Sequence, residues 1–155
     1  MKRQSFHERL EEMPNVLGKT WSEIRKDLGM KEDALRQVRI VDNLYTTTMQ
    51  RIGFGLGLIP VVLYRTEDEK SEGSKDFLHG EHEANYIGRA FANRRTMKKM
   101  QPKDVAKKCG ILPYSQILRY EEGAGMMTNR LELICSALEL IPQYLVKPLP
   151  RQSEK

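Results

Sequence analysis

Residues that could carry out chemistry are few in this chain, and their spacing argues against an enzyme. The 155 residues contain no glycine-rich phosphate loop ending in Lys-Ser/Thr, no Gly-x-Ser-x-Gly turn and no Cys-x-x-Cys pair. Gly53, Gly55 and Gly57 lack the dinucleotide-binding spacing, and no strand is expected before them. We interpret this segment as a helix that packs closely on a neighbour. We therefore expect no catalytic residues and no cofactor.

Metal-ligating and redox residues are equally sparse. His79 and His82 supply two ligands where a closed zinc site needs about four, so no metal site is expected. Cys109 and Cys135 are too few for a disulfide framework and fall among apolar helical positions, so they are predicted to be inert core residues. No apolar stretch is long enough to span a membrane or to act as a signal segment. The expected location is the cytoplasm.

The charge balance points to one half of the chain. The sequence carries 26 Lys+Arg and 21 Asp+Glu, a net charge of +5. Residues 1–78 hold 13 basic and 13 acidic residues, whereas residues 79–155 hold 13 and 8. A basic surface suits an anionic partner such as nucleic acid, although a solvated helix face is the alternative interpretation. The densest run provides candidate phosphate contacts: Arg94, Arg95, Lys98, Lys99, Lys103, Lys107 and Lys108.

The elements that must position these residues are predicted to be helices. Apolar residues recur at three- and four-residue intervals in two segments of similar size, residues 1–64 and 84–147. Residues 65–83 are polar and acidic and are predicted to be a linker, and residues 148–155 form a short charged tail. Neither segment contains a convincing run of alternating β-branched residues. The predicted fold class is all-α, with two tandem five-helix units joined by a polar linker.

The two segments also repeat each other. Residues 24–30 align with residues 105–111 at an offset of 81, and residues 56–63 align with residues 138–145 at an offset of 82. One inserted residue near Leu112 in the second copy accounts for the change of offset. Two matches in the same order indicate a duplication.

Each copy has the pattern of a helix-turn-helix. An apolar pair four residues apart is followed by a glycine, where a tight turn needs a positive φ, and then by a second short helix with its own apolar pair. This geometry presents the second helix to the major groove of DNA. A longer helix follows, and a last short helix is predicted to begin at Pro60 or Pro142. The predicted core residues are Ile24, Leu28, Leu35, Val38, Met49, Ile52 and Leu56, and in the second copy Val105, Cys109, Ile117, Tyr120, Leu131, Ile134 and Leu138.

The second copy resembles the Cro/phage-repressor (XRE-type) helix-turn-helix family over about residues 86–147. Residues 87–95 resemble the first helix of that family, residues 100–111 its second helix and turn, and residues 115–123 its third helix with the closing Glu-x-Gly. Two positions depart from the family pattern. Pro102 replaces a polar residue at the start of the second helix, and Leu112 lengthens the turn.

The first copy resembles the family less closely. Its turn register fits without insertion from Trp21 to Val38, but Pro14 lies at the position of Arg95 and is predicted to shorten or break the first helix. The third helix begins with Glu32 and Asp33, which DNA phosphates would repel unless the carboxylates are buried or paired.

The resemblance implies a bacterial or phage-type transcriptional regulator that binds double-stranded DNA. It favours a homodimer, although a monomer whose two units bind adjacent half-sites is the alternative. Tyr, Ser, Gln and Arg side chains can contact phosphates or base edges. The candidate base contacts are Tyr114, Ser115, Gln116 and Arg119, and the secondary DNA contacts in the first unit are Lys31, Arg36 and Arg39.

A protein-binding role is the rival hypothesis. In this interpretation the chain is an antitoxin, antiactivator or other inhibitor that uses one helix-turn-helix unit as a docking surface. The acidic start of the third helix at Glu32 and Asp33 favours this role for the first unit, which is left open to either partner.

Overall fold

The helix-favouring stretches of both repeats form nine helices in the part of the chain that the structure describes. The structure is a computed structural model that describes residues 4–41, 43–65, 85–110 and 112–148. The first unit comprises α1 (Phe6–Glu11), α2 (Met13–Leu17), α3 (Trp21–Leu28), α4 (Glu32–Ile40), α5 (Thr46–Gly55) and β1 (Leu58–Tyr64). The second comprises α6 (Tyr86–Met97), α7 (Pro102–Cys109), α8 (Tyr114–Glu121), α9 (Thr128–Leu138) and β2 (Ile141–Pro148).

The prediction of an all-α fold with two five-helix units is wrong. Where a last short helix was expected, each unit ends in a strand, and β1 and β2 pair in a two-stranded antiparallel sheet. A strand buried on both faces has a continuous apolar run, which the search for alternation overlooks. Pro60 and Pro142 lie inside these strands, and they are tolerated because each strand has an edge that is not paired in the sheet.

The first helix of the first unit is broken, as predicted from Pro14. Helix α1 ends at Glu11, and Pro14 lies in the first turn of α2. Backbone N–H groups in a first turn have no acceptor within the helix, so a proline there costs no helical hydrogen bond. The described part of the first unit therefore contains five helices, whereas that of the second contains four.

The two units are related by an internal two-fold axis. In the sheet, Val61 pairs with Tyr144 and Val62 with Gln143, which are separations of 83 and 81 positions, so the pairing is centred midway between them at the repeat offset of 82. A second contact between the units is the isolated antiparallel bridge between Tyr45 and Met127, which are repeat equivalents 82 positions apart. A residue can pair with its own repeat equivalent in an antiparallel arrangement only at a two-fold axis. The duplication seen in the sequence is therefore a pseudo-dimer within one chain.

Each unit also packs its first helix against the strand of the other unit. The ring of Phe6 in α1 meets the ring of Tyr144 in β2 edge-on, with 6.0 Å between centroids, and Arg9 Nε donates to the Tyr144 carbonyl oxygen at 3.2 Å. In the reciprocal contact, the Tyr86 hydroxyl in α6 donates to the Val61 carbonyl oxygen at 2.8 Å. The units consequently share one hydrophobic core. Of the predicted linker, residues 66–83 lie outside the described residues, as do residues 149–155 of the predicted tail.

Candidate nucleic-acid interface

Each unit has two helices joined by a short connection where the sequence predicts a helix-turn-helix. Helices α3 and α4 are joined by three residues, and α7 and α8 by four, which confirms the inserted residue in the second copy. Gly29 and Gly110 end the first helix of each motif with φ of 64° and 82°, the left-handed conformation that glycine adopts without strain. Most predicted core positions are buried, and Leu28 and Leu56 are half-buried.

The outer face of α8 is the best candidate recognition surface. Ile117 and Tyr120 fix the inner face of this helix in the core. Tyr114 is 58% exposed, Ser115 and Arg119 are exposed, and Gln116 is half-buried beside the inner face. These four side chains make no hydrogen bond or ion pair to the residues that the structure describes. They are available for an external partner.

Leu118 belongs to the same outer face and was missed by the sequence analysis. It is 39% exposed and lies three residues after Ser115 and one before Arg119, on the stripe that points away from the core. Apolar side chains on a recognition helix can contact the methyl group of thymine. The sequence contained a signal for its exposure, because Leu118 directly follows Ile117 and two neighbouring residues of an amphipathic helix cannot both face the protein core.

Three residues of the predicted basic run are engaged inside the protein. Arg95 forms a bidentate ion pair with Glu121, with 2.6 Å from Nε to Oε2 and 3.0 Å from Nη2 to Oε1. The Arg95 side chain is 17% exposed and that of Glu121 is 9% exposed. The hydrogen bond to Glu121 raises the pKa of the Arg95 guanidinium. Arg94 donates to the carbonyl oxygens of Leu138 and Glu139 at 2.9 and 3.3 Å, at the C-terminal end of α9.

Lys98 completes this internal group. It forms an ion pair with the exposed carboxylate of Glu139, and this hydrogen bond lowers the pKa of Glu139. Arg94, Arg95 and Lys98 thus fasten α6 to the ends of α8 and α9. Their charges are used inside the fold, which was not predicted because their partners at the ends of α8 and α9 lie 26 to 45 positions away in the sequence.

The four other residues of the predicted basic run face solvent. Lys99, Lys103, Lys107 and Lys108 are exposed and have no hydrogen-bond or ion-pair partner among the described residues. Lys103, Lys107 and Lys108 lie on α7, the helix that precedes α8, and Lys99 lies just before α7. These four remain the candidate phosphate contacts.

The candidate contacts of the first unit have internal partners of their own. Arg36 donates to the Asp33 carboxylate at 3.0 Å and to the Glu32 carboxylate at 3.5 Å, and all three side chains are exposed on α4. Arg39 donates to Glu11 at 2.8 and 3.2 Å and stacks over the Trp21 ring at 4.0 Å. Lys31 is exposed at the residue that precedes α4. Pairing with Arg36 offsets part of the negative charge that the sequence places at the start of this helix.

The remaining sequence candidates have structural roles or lie elsewhere. A Cβ on Gly53 would come within 2.8 Å of Pro60, and one on Gly55 within 2.6 Å of Leu28, which confirms the prediction of close helix packing. Cys109 and Cys135 are buried as predicted, and burial raises the pKa of the Cys109 thiol. No group of three potential metal ligands occurs among the described residues, and His79 and His82 lie outside them.

No protein-family model, curated protein or solved structure matches the chain. None of the helices in the described ranges is long and apolar enough to cross a membrane.

Proposed function

We propose that this protein is a sequence-specific DNA-binding transcriptional regulator whose main reading element is α8. One observation carries the proposal. The outer stripe of α8 is exposed and has no hydrogen-bond or ion-pair partner among the described residues; it is formed by Ser115, Leu118 and Arg119. The inner face of the same helix is fixed by the buried side chains of Ile117 and Tyr120. A helix-turn-helix offers its second helix to the major groove in this way.

The side chains on this stripe suit different base edges. Arg119 can donate two hydrogen bonds to guanine, and Leu118 can contact a thymine methyl group. Gln116 can pair with adenine, whereas Ser115 and Tyr114 can contact either a base edge or a phosphate. We assign sequence recognition by α8 chiefly to Arg119 and Leu118, which are both exposed and pair with different base edges.

Phosphate binding falls to Lys99, Lys103, Lys107 and Lys108, because these residues are exposed and have no hydrogen-bond or ion-pair partner in the described ranges. Contacts of this kind position a protein on DNA without reading its sequence. Arg94, Arg95 and Lys98 are assigned to the fold, since their charges are occupied by Glu121, Glu139 and the end of α9.

Salt-titrated binding to a selected duplex and to random duplex tests this proposal. We expect a steep fall of affinity with salt for both duplexes. Arg119→Ala should weaken the selected site at least tenfold more than random DNA, whereas Lys103→Ala with Lys107→Ala should weaken both equally and reduce the salt slope by about two. Arg51→Ala is the matched control, because this exposed arginine lies on α5, outside both motifs. Weak binding with a flat salt response would refute the proposal.

A second candidate is protein docking through the first unit. Glu32 and Asp33 are 80% and 91% exposed at the start of α4, and Ile40 is 66% exposed at its end. A helix with acidic and apolar surface suits a basic protein partner. In that case Arg36→Ala and Gln37→Ala should leave DNA binding unchanged.

A further inference from the structure

We infer that a single chain is the complete DNA-reading unit and that it recognises two adjacent, non-identical half-sites, one through α8 and the other through α4. This inference rests on the proposed function. It replaces the homodimer that the family resemblance implies with a pseudo-dimer inside the chain.

The first step is that the contacts around the two-fold axis are internal. Thr46 N donates to the Met126 carbonyl oxygen at 2.7 Å, and Thr128 N donates to the Leu44 carbonyl oxygen at 2.7 Å. Strands β1 and β2 pair across the same axis. A two-fold axis that exchanges the two units carries α4 onto α8, as the dyad of a helix-turn-helix dimer relates its recognition helices. The chain therefore already has the arrangement that other proteins obtain from two copies.

The second step is that short connections limit how far each reading helix can lie from this axis. Helix α4 ends at Ile40, five residues before Tyr45, and α8 ends at Glu121, six residues before Met127. At no more than about 3.6 Å per residue, these connections span at most about 18 and 22 Å. Adding about 5 Å across the bridge, the C-terminal ends of the two helices are at most about 45 Å apart. This limit accommodates half-sites separated by one DNA turn of roughly 34–36 Å.

The third step is that the two reading surfaces differ at every equivalent position. The buried pairs correspond, with Leu35 matching Ile117 and Val38 matching Tyr120. On the outer face, by contrast, the equivalent pairs are Asp33 and Ser115, Arg36 and Leu118, and Gln37 and Arg119. A surface with Arg36 and Gln37 suits guanine and adenine, and one with Leu118 and Arg119 suits thymine and guanine. A palindromic site cannot satisfy both helices.

The two half-sites should also differ in strength. Arg36 is held by Asp33 and Glu32, so its donors must be shared with these carboxylates, whereas Arg119 has no partner in the described part of the chain. The net positive charge also lies in the second half of the sequence. The half-site bound by α8 therefore supplies most of the affinity, and the half-site bound by α4 adds selectivity and fixes the orientation of the protein on DNA.

Selection from a random duplex library of about 40 base pairs, or roughly four DNA turns, tests the inference with the 155-residue chain. We expect a non-palindromic consensus, and sedimentation of the complex should give one chain per duplex. Synthetic duplexes that carry either half-site twice should bind at least tenfold more weakly than the selected site. Arg119→Ala should abolish selectivity in one half-site only, and Arg36→Ala with Gln37→Ala in the other only, with Arg51→Ala as the neutral control.

The outcomes separate the inference from the function on which it rests. A palindromic consensus bound by two chains would overturn the inference and leave DNA recognition by α8 intact. A single short consensus insensitive to Arg36→Ala and Gln37→Ala would do the same and would assign α4 to protein docking. Absence of any enriched sequence, together with a flat salt response, would overturn the proposed function itself.

Discussion

Thr46 and Thr128 occupy equivalent positions in the two repeats, and each donates its backbone N–H across the two-fold axis to the loop of the other unit. Both hydrogen bonds measure 2.7 Å. Both threonines are 4% exposed, so this exchange takes place away from water. The side chains extend it, because Thr128 Oγ1 accepts from Leu44 N and donates to the Leu44 carbonyl oxygen, each at 2.8 Å. Thr46 Oγ1 accepts from Met126 N at 3.1 Å.

Replacing Thr128 by valine should destabilise the protein by about 1–3 kcal/mol. Valine keeps the shape of threonine but leaves the buried Leu44 N–H without an acceptor, and an unsatisfied buried donor carries a cost of this size. Urea denaturation measures the change in free energy of unfolding. Thr96→Val is the control, because its hydroxyl makes only an exposed bond to the Ala92 carbonyl oxygen, and the expected change is below about 0.5 kcal/mol. Equal losses in both variants would contradict a role for the Thr128 hydroxyl at the axis.

The helices and the short turn of each unit could be predicted from the sequence because their signals are local. Gly29 and Gly110 mark the turns, Pro14 marks the break in the first helix, and the apolar spacing identifies the buried faces of the helices. Each of these signals acts within a few residues. The duplication also gave a reliable alignment, since the offset of 82 is the spacing of the residues that pair at the axis.

The sheet and the ion pairs could not be predicted in the same way, because they depend on residues far apart in the sequence. Residues 58–64 become a strand because residues 141–148 pair with them. Arg95 is a structural residue because Glu121 lies beside it in space, and nothing near Arg95 in the sequence distinguishes it from exposed Lys99. Basic residues of the fold and basic residues of the surface look alike until their partners are known.

Each unit has an ion pair between its first helix and the end of α4 or α8, although the two partners on the first helices are not repeat equivalents. Arg39 at the end of α4 pairs with Glu11, whereas Glu121, its repeat equivalent at the end of α8, pairs with Arg95. The second pair is the more buried, so Arg95→Met should cost about 3 kcal/mol by leaving the Glu121 carboxylate buried alone. Arg39→Met should cost about 1 kcal/mol or less, since Glu11 and Arg39 are 44% and 32% exposed. Urea denaturation of both variants tests the order, and a larger loss for Arg39→Met would contradict it.

Gly88 allows α6, the first helix of the second unit, to approach the backbone of α8 closely. A Cβ at this position would lie 2.3 Å from the Tyr120 carbonyl oxygen and 2.7 Å from that of Glu121, both backbone atoms that cannot rotate away. Gly88→Ala should therefore destabilise the protein by about 1–3 kcal/mol, even though alanine favours helices. Gly55→Ala is the control, because its closest neighbour is the movable end of the Leu28 side chain. A lowered melting temperature for both variants alike would argue against the close approach of α6 and α8.

Acid should weaken the fold through carboxylates whose pKa values are lowered by their partners. The hydrogen bond from Arg39 lowers the pKa of Glu11, and bonds from Thr20 lower that of Glu23. A carboxylate with a lowered pKa in the folded state contributes its stability above its unfolded pKa of 4.5 and loses it as the pH falls through the folded value. These two carboxylates should therefore leave the free energy of unfolding unchanged from pH 7 to 5 and lower it below pH 4.5.

Glu11→Gln should reduce this decline in the free energy of unfolding. Glu122→Gln should retain it, because exposed Glu122 has no ion pair in the described ranges. Denaturation of the three proteins at a series of pH values measures the difference, and a decline of the same depth in Glu11→Gln would contradict the assignment.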